Sequence, residues 1–237
     1  NDAIFVPAIK EGALTPTQHF AVAAHTPGAE GTIWRTDLRI FNPSDDSQEI
    51  TLTFTEKNQS FIKTIEIDGK ATLKYNDVIN ELFQLQQNHG LLTISGNPGV
   101  ISTSRIYNTL GEAKTYGQFV PSSIIHKPIN INQSQFILHM SSNASFRTNL
   151  GFTEVAGRPA TVEVALYNSN GTEIGKGTFN ISAYEQKQIN RIFEVFNAGE
   201  IENGYAKVTV LSGQGSVLTY ASVVDNLTGD AIFVIGQ

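Results

Sequence analysis

The sequence predicts an all-β protein: a tandem duplication of two immunoglobulin-like β-sandwich domains, each carrying one short helix. Three observations lead there. The first is an internal repeat. Asn76 and Asn190, and again Gly90 and Gly204, are 114 residues apart within matching stretches, YNDVINELFQLQQNHG and INRIFEVFNAGEIENG. A self-similar period must be recognised before any fold is assigned, and this one has the length of an ordinary domain. The second is strict alternation of apolar and polar residues over short runs, the period of a half-buried strand. The third is a turn signal roughly every 8–12 residues, the rhythm of a sandwich.

The elements follow in chain order. WRTDLRIFN (34–42) and FRTNLGF (146–152) are matching strands, the first ending in an Asn-Pro-Ser turn signal. In residues 48–55, Ile50, Leu52 and Phe54 take one face and Thr51, Thr53 and Thr55 the other. Ile65 and Ile67 repeat the pattern, as do Val162, Val164 and Leu166, then Phe179 and Ile181. Asp68-Gly69 and Asn170-Gly171 are hairpin signals. Residues 217–224 are almost wholly apolar or small, as in a central strand buried on both faces. Each copy is interrupted by a helix: Asn76 is expected to cap Val78, Ile79, Leu82 and Phe83, and Asn190 to cap Ile192, Phe193 and Phe196. Each helix is expected to cross between sheets. About seven strands per copy result. The organisation is residues 1–19 as an N-terminal strand or extension, 20–121 as copy one, 122–134 as linker and 135–237 as copy two.

Composition narrows the function. Charged residues make up 16% of the chain, below the roughly 25% of average domains, and Asn, Ser, Thr and Gln take their place, the habit of extracellular β-proteins. There is no cysteine, which removes disulfides, thiolate metal sites and a cysteine nucleophile. A net charge of -6 without basic runs argues against nucleic acid, and no apolar run is long enough for a membrane helix. No signal peptide is visible and the chain opens on Asn1, as a processed secreted protein or a trimmed one would.

The sites the sequence offers are few. Arg35 and Asp37 lie two apart on a strand and so share a face. They are candidates for a polar ligand, as is Arg147 in copy two, although Asn149 there replaces the acid and a structural pairing is the first expectation. His25 and His139 precede the two Arg-Thr motifs at similar places, without the spacing of a metal site. DNLTGD (225–230) is rich in oxygen ligands, so calcium is the one cofactor considered; it lacks alternating carboxylates, and an Asx turn is expected instead. No nucleophile elbow or zinc-helix motif is present, and the copies differ at most polar positions. No enzymatic activity, cofactor or metal is expected. Sequons at Asn58, Asn132, Asn143, Asn170, Asn180 and Asn226 matter only in a glycosylating host.

The pentapeptide DAIFV occurs twice, at 2–6 and 230–234. The second closes copy two, where copy one has GQFVP. The first is therefore a spare closing strand, and Asp2, Ala3, Ile4, Phe5 and Val6 are the expected assembly residues. AHTPGAEGTIWRTDLRIFNPS and ENGYAKVTVLSGQGSVLTYASVVDNLTGDAIFV resemble an uncharacterised class of bacterial secreted immunoglobulin-like β-sandwich repeats, from about Phe20 onward. Copy one departs from the closing motif of that class and copy two from its opening motif. The resemblance implies an extracellular setting and a sandwich fold, with no assigned activity. The expected function is a non-enzymatic structural protein, a surface, fibre or adhesive building block that self-associates, or meets other surface proteins, by adding its N-terminal strand to a neighbouring subunit. The alternative is a carbohydrate- or protein-binding module, which a cluster of Tyr75, Tyr107, Tyr116, Tyr184 and Tyr205 on one exposed face would favour.

Overall fold

The structure is a computed structural model and describes residues 6–9, 13–28, 31–97, 99–109 and 115–237. The chain forms two compact units, Asn1–Ile125 and His126–Gln237. The first contains β1 (Thr17–Pro27), β2 (Ile33–Phe41), β3 (Gln48–Glu56), β4 (Gln59–Ile67), β5 (Thr72–Tyr75), α1 (Val78–Glu81), β6 (Asn88–Gly96), β7 (Ile101–Thr109) and β8 (Thr115–Val120). The second contains β9 (Ser134–Ser142), β10 (Phe146–Glu154), β11 (Ala160–Tyr167), β12 (Glu173–Ile181), β13 (Gln186–Ile189), α2 (Ile192–Val195), β14 (Ile201–Gly213), β15 (Val217–Asp225) and β16 (Ala231–Ile235).

Every pairing between these strands is antiparallel. In the first unit the order is β4-β3-β6-β1 and β5-β2-β7-β8, and the last two residues of β1 also pair with β2. In the second it is β12-β11-β14-β9 and β13-β10-β15-β16. The two orders are the same, strand for strand. They depart from the immunoglobulin order, in which the first strand pairs with the second and the seventh with the sixth. Here the first strand pairs with the sixth and the seventh with the second. Each unit has eight strands, and the closing strand lies outside the seventh.

The alternating residues face the core as their spacing requires. Ile50, Leu52, Phe54, Leu38 and Ile40 are buried in the first unit. In the second, Val162, Val164, Leu166, Leu150, Phe152 and Ile181 form one cluster with Ile192 and Phe193 of α2. Side chains from both sheets meet in that cluster, so burial of apolar area drives the layers together. The helices are single turns that carry the chain from one sheet to the other. Their caps are one residue later than expected: Asp77 caps α1 through its side chain, and Arg191 begins α2 in a left-handed conformation with no side-chain cap. Asn190 instead accepts from Gln188 at 2.9 Å.

The repeated Arg-Thr motif has a shared structural partner, and it is the threonine. Thr36 is fully buried; its hydroxyl accepts from the Ala24 amide at 2.6 Å and donates to the Ala24 carbonyl at 3.0 Å. Thr148 does the same to Ser141, at 3.0 and 2.7 Å. Each hydroxyl thus satisfies both backbone groups of one first-strand residue near the end of that strand's pairing with the sixth. Buried backbone groups must find partners, and a hydroxyl is the smallest side chain that both donates and accepts. At the far end of the same strands, Asn42 and Glu154 are both fully buried. Asn42 donates to the carbonyls of Asp46, Ile67 and Asp68, whereas Glu154 accepts from the amides of Ala156, Gly157, Arg158, Tyr184 and Ser216. One strand end therefore serves as a loop anchor in both units: Asn42 donates and also accepts from Ser44 and Gln48, while Glu154 only accepts.

Replacing Thr36 or Thr148 by Val keeps the shape and removes both bonds. Each variant should lose about 1–3 kcal/mol of stability in urea denaturation, and the corresponding Thr→Ser variants should recover most of it. Val variants as stable as the parent would contradict the role assigned to the hydroxyl.

Candidate functional site

The expected assembly segment points to the place its twin occupies. Asp2, Ala3, Ile4 and Phe5 lie outside the described residues; Val6 is 47% exposed. The twin is β16. It pairs with β15 in the register Val224 with Ala231, Ser222 with Phe233 and Tyr220 with Ile235. Past its end, the Gly236 amide donates to the Thr219 carbonyl at 2.9 Å, and Gln237 exchanges two bonds with Phe136 of β9, at 2.8 and 2.9 Å. The last strand therefore joins the two sheets. The Phe233 ring stacks on Tyr220, with centroids 4.6 Å apart, and meets the His126 ring edge-on at 6.3 Å. Val234 packs against the core, and Ile232 is exposed. Tyr220 fits because Gly151 lies beneath it: a Cβ there would stand 2.0 Å from the ring. Burial raises the Tyr220 hydroxyl well above the usual phenol range, and Gln186 donates to it at 2.8 Å.

Unit one closes in the same way. Leu38 and Leu150 are matched in the repeat and pair with Ser104 and Ala221; those residues pair with Val120 and Val234. Phe119-Val120 and Phe233-Val234 thus hold the same places. The Ser123 amide donates to the His19 carbonyl at 2.8 Å, as Gln237 does to Phe136. The alternation of an antiparallel ladder adds one detail. Because the amide of Gly236 bonds to β15, that of Ile235 points away from it. A proline at that position removes no bond from the ladder, and Pro121 stands there in unit one.

Arg35 and Asp37 do share a face, as expected, but they do not pair with each other. Asp37 is gripped by both terminal nitrogens of the Arg39 guanidinium, which also donates to the Leu38 and Tyr75 carbonyls. Burial raises the Asp37 carboxyl above the usual carboxylate range, against the lowering effect of Arg39, Arg105 and Lys74. Arg35 turns to Asp77, with Nε 3.8 Å from Oδ2, and to the Tyr107 hydroxyl. Asp77 also holds His25, whose Nδ1 is 2.6 Å from the same oxygen. Tyr107 donates to the Asn76 carbonyl at 2.9 Å, and Arg105 lies over its ring at 5.0 Å. Burial pushes the Tyr107 hydroxyl above the usual phenol range.

The equivalent face of unit two lacks this set. Its strand register puts Ser142, Asn149, Arg191 and Val224 where unit one has His25, Asp37, Asp77 and Tyr107. Only the arginine recurs, and Arg147 donates to Asn226 at 2.8 Å in the hairpin before β16. The positional echo between His25 and His139 is not a structural one, because the register places His139 three residues before the match. His25 and Asp77 are 52 residues apart in sequence, so no local pattern announced their contact.

DNLTGD forms the expected Asx turn. Asp225 accepts from the amides of Leu227 and Thr228, both at 2.8 Å, which hold its carboxyl below the usual range. Among the described residues no three His, Asp or Glu side chains gather as metal ligands would. Tyr167 and Tyr205 stack on each other, 4.8 Å apart and nearly parallel, so each hides a face of the other. Tyr184 lies over Gly157; in unit one, Tyr75 pairs with Leu38, Tyr107 with Arg35 and Tyr116 with Asn108.

No family model and no curated protein matches the chain. Among solved structures, it is similar to Thermotoga maritima 1070, at 15% identity and a TM-score of 0.37, over 45% of this chain and 92% of that one. It also matches a lectin from Pleurotus ostreatus in complex with GalNAc, at 11% identity and a TM-score of 0.18, over 94% of this chain and 77% of that one.

His126, beside Phe233, gives the slot a pH signature. Burial lowers its imidazole to about 4, although the bond from Nε2 to the Thr219 carbonyl favours the charged form. Unfolded, it takes up a proton near 6.5. The neutral ring thus contributes fully above pH 6.5, and the contribution is lost as pH falls towards about 4, by about 3 kcal/mol. Urea titrations of the parent across that window should show this loss. A His126→Gln variant should lose less over the same window; equal losses would contradict the assignment.

Proposed function

We propose that the chain is a non-enzymatic extracellular structural protein, a surface, fibre or adhesive building block that assembles by strand exchange. In this reading it is a tandem duplication of one β-sandwich, related to immunoglobulin-like sandwiches by its layering and not by its strand order. The identical strand order of the two units and the matched places of Thr36 and Thr148 support the duplication. The sparse charge and the Asn-, Ser- and Thr-rich composition support the extracellular setting.

One observation carries the assembly: the slot of β16 is filled by the same five residues that stand at 2–6. Residues 2–6 of a neighbouring chain meet every side-chain requirement of that slot. Phe5 replaces Phe233 on Tyr220, Val6 replaces Val234 against the core, and Ala3 replaces the buried Ala231. Pro7 falls where the Ile235 amide points away from β15, the position Pro121 occupies in unit one. Because the pentapeptides are identical, exchange is neutral in side-chain contacts, and its balance is set by effective concentration. A surface-tethered or crowded protein has that concentration. The contact is head-to-tail, and such contacts build open filaments when they do not close into a ring.

Deletion of residues 1–9 tests this reading. The intact chain at high concentration should give large species by light scattering and fibres by negative-stain microscopy, and the deletion should abolish both. Monodisperse monomers from both proteins would overturn it.

A further inference from the structure

The charged cluster of unit one is not used by strand exchange. It is also costly to maintain, since charged groups out of water need compensation. The side chains of Asp77 and His25 are only 10% and 15% exposed. Arg35 Nε is buried and makes no hydrogen bond, only the 3.8 Å approach to Asp77. Unmade bonds at buried polar atoms call for an explanation, and unit two manages the same fold without this set.

The bonds that are made define those left over. An ionised carboxylate only accepts, so His25 Nδ1 carries the hydrogen shared with Asp77. In the neutral ring the other nitrogen, Nε2, then presents a lone pair, and it has no hydrogen-bond partner among the described residues. The Arg35 guanidinium, 37% exposed and only a donor, approaches the same Asp77 oxygen that holds the ring through Nδ1. The vacant pair is therefore one acceptor beside one donor. A ligand complementary to both offers a hydroxyl that donates and an adjacent oxygen that accepts, as the vicinal hydroxyls of a saccharide do. Arg35, Arg39, Arg105 and Lys74 stand against Asp37 and Asp77, so the face carries an excess of positive charge and suits neutral or acidic saccharides. The Tyr107 ring adds an apolar wall, one side of it taken by Arg105.

We propose that His25, Arg35 and Tyr107 form a saccharide-binding site in unit one, with Asp77 fixing the ring of His25. Lectin-like surface binding thus accompanies the structural role without depending on it. The intact chain is screened on an array of neutral and acidic mono- and oligosaccharides. The best binders are then titrated while the ring signals of all five histidines are followed by NMR, with lactate as a hydroxy-acid control.

A saccharide should shift the His25 signals and leave those of His126 and His139 in place. Arg35→Gln and His25→Phe should each weaken binding about tenfold or more. Arg147→Gln, at the matching place in unit two, should bind as the parent does. Melting curves report whether the variants fold, and the shift map on the unaltered chain decides the matter if they do not. No binding on the array, a shift map that leaves His25 still, or a response to lactate alone would overturn the proposal.

Discussion

Each unit depends on how its first strand is satisfied on two sides at once. β1 and β9 pair with the sixth strand along one edge. Near the end of that pairing, a buried threonine hydroxyl from the second strand meets both backbone groups of Ala24 or Ser141. On the other edge, the tail of the last strand adds bonds to His19 or Phe136. The sheets are thus stitched through hydrogen bonds as well as pressed together by their apolar faces. A closing strand in this scheme is not ornamental. It completes the edge, and edges left open are templates for further pairing.

The two units keep this scaffold and diverge wherever it does not constrain them. Both anchor a loop at the end of the second strand, but one uses an amide that donates and accepts and the other a carboxylate that only accepts. Both turn between sheets through a single helical turn, but Asp77 stands where Arg191 does. That last exchange decides the chemistry of the face. With Asp77, His25 and Arg35 converge on one carboxylate; with arginine in its place, such convergence would be electrostatically unfavourable. In the proposed reading, one unit keeps a structural duty while the other also carries a site, since function resides in the site and not in the fold.

Much of this architecture was legible in the sequence. Alternation in residues 48–55 and 160–167 gave the core faces, because a half-buried strand must alternate. The apolar run at 217–224 gave a central strand, and the spacing of Arg35 and Asp37 gave their shared face. The match of GQFVP with the end of copy two gave the closing strand. Pairing order was not legible, since alternation says which face is buried and nothing about which strand lies alongside. The helix caps lie one residue later than expected: Asp77 caps α1 while also meeting His25, and Arg191 opens α2 in a left-handed conformation. Charge is the conspicuous feature of the Arg-Thr motif in the sequence, while its hydroxyl is the shared structural part. The His25–Asp77–Arg35–Tyr107 cluster was hidden because its members come from four separate stretches of chain.

The central claim is that residues 2–6 of one chain fit the place of residues 230–234 in another. The chain has no cysteine, so a pair can be introduced without competition. Val224 faces Ala231 across β15 and β16 as a pair that exchanges no backbone bonds, where Cα atoms lie about 4.5 Å apart, within the reach of a disulfide. In the double variant Ala3→Cys and Val224→Cys, oxidised at high concentration, exchange predicts a ladder of covalent multimers that collapses to monomer on reduction. Oxidised material that runs only as monomer, with both thiols still free, would contradict the account.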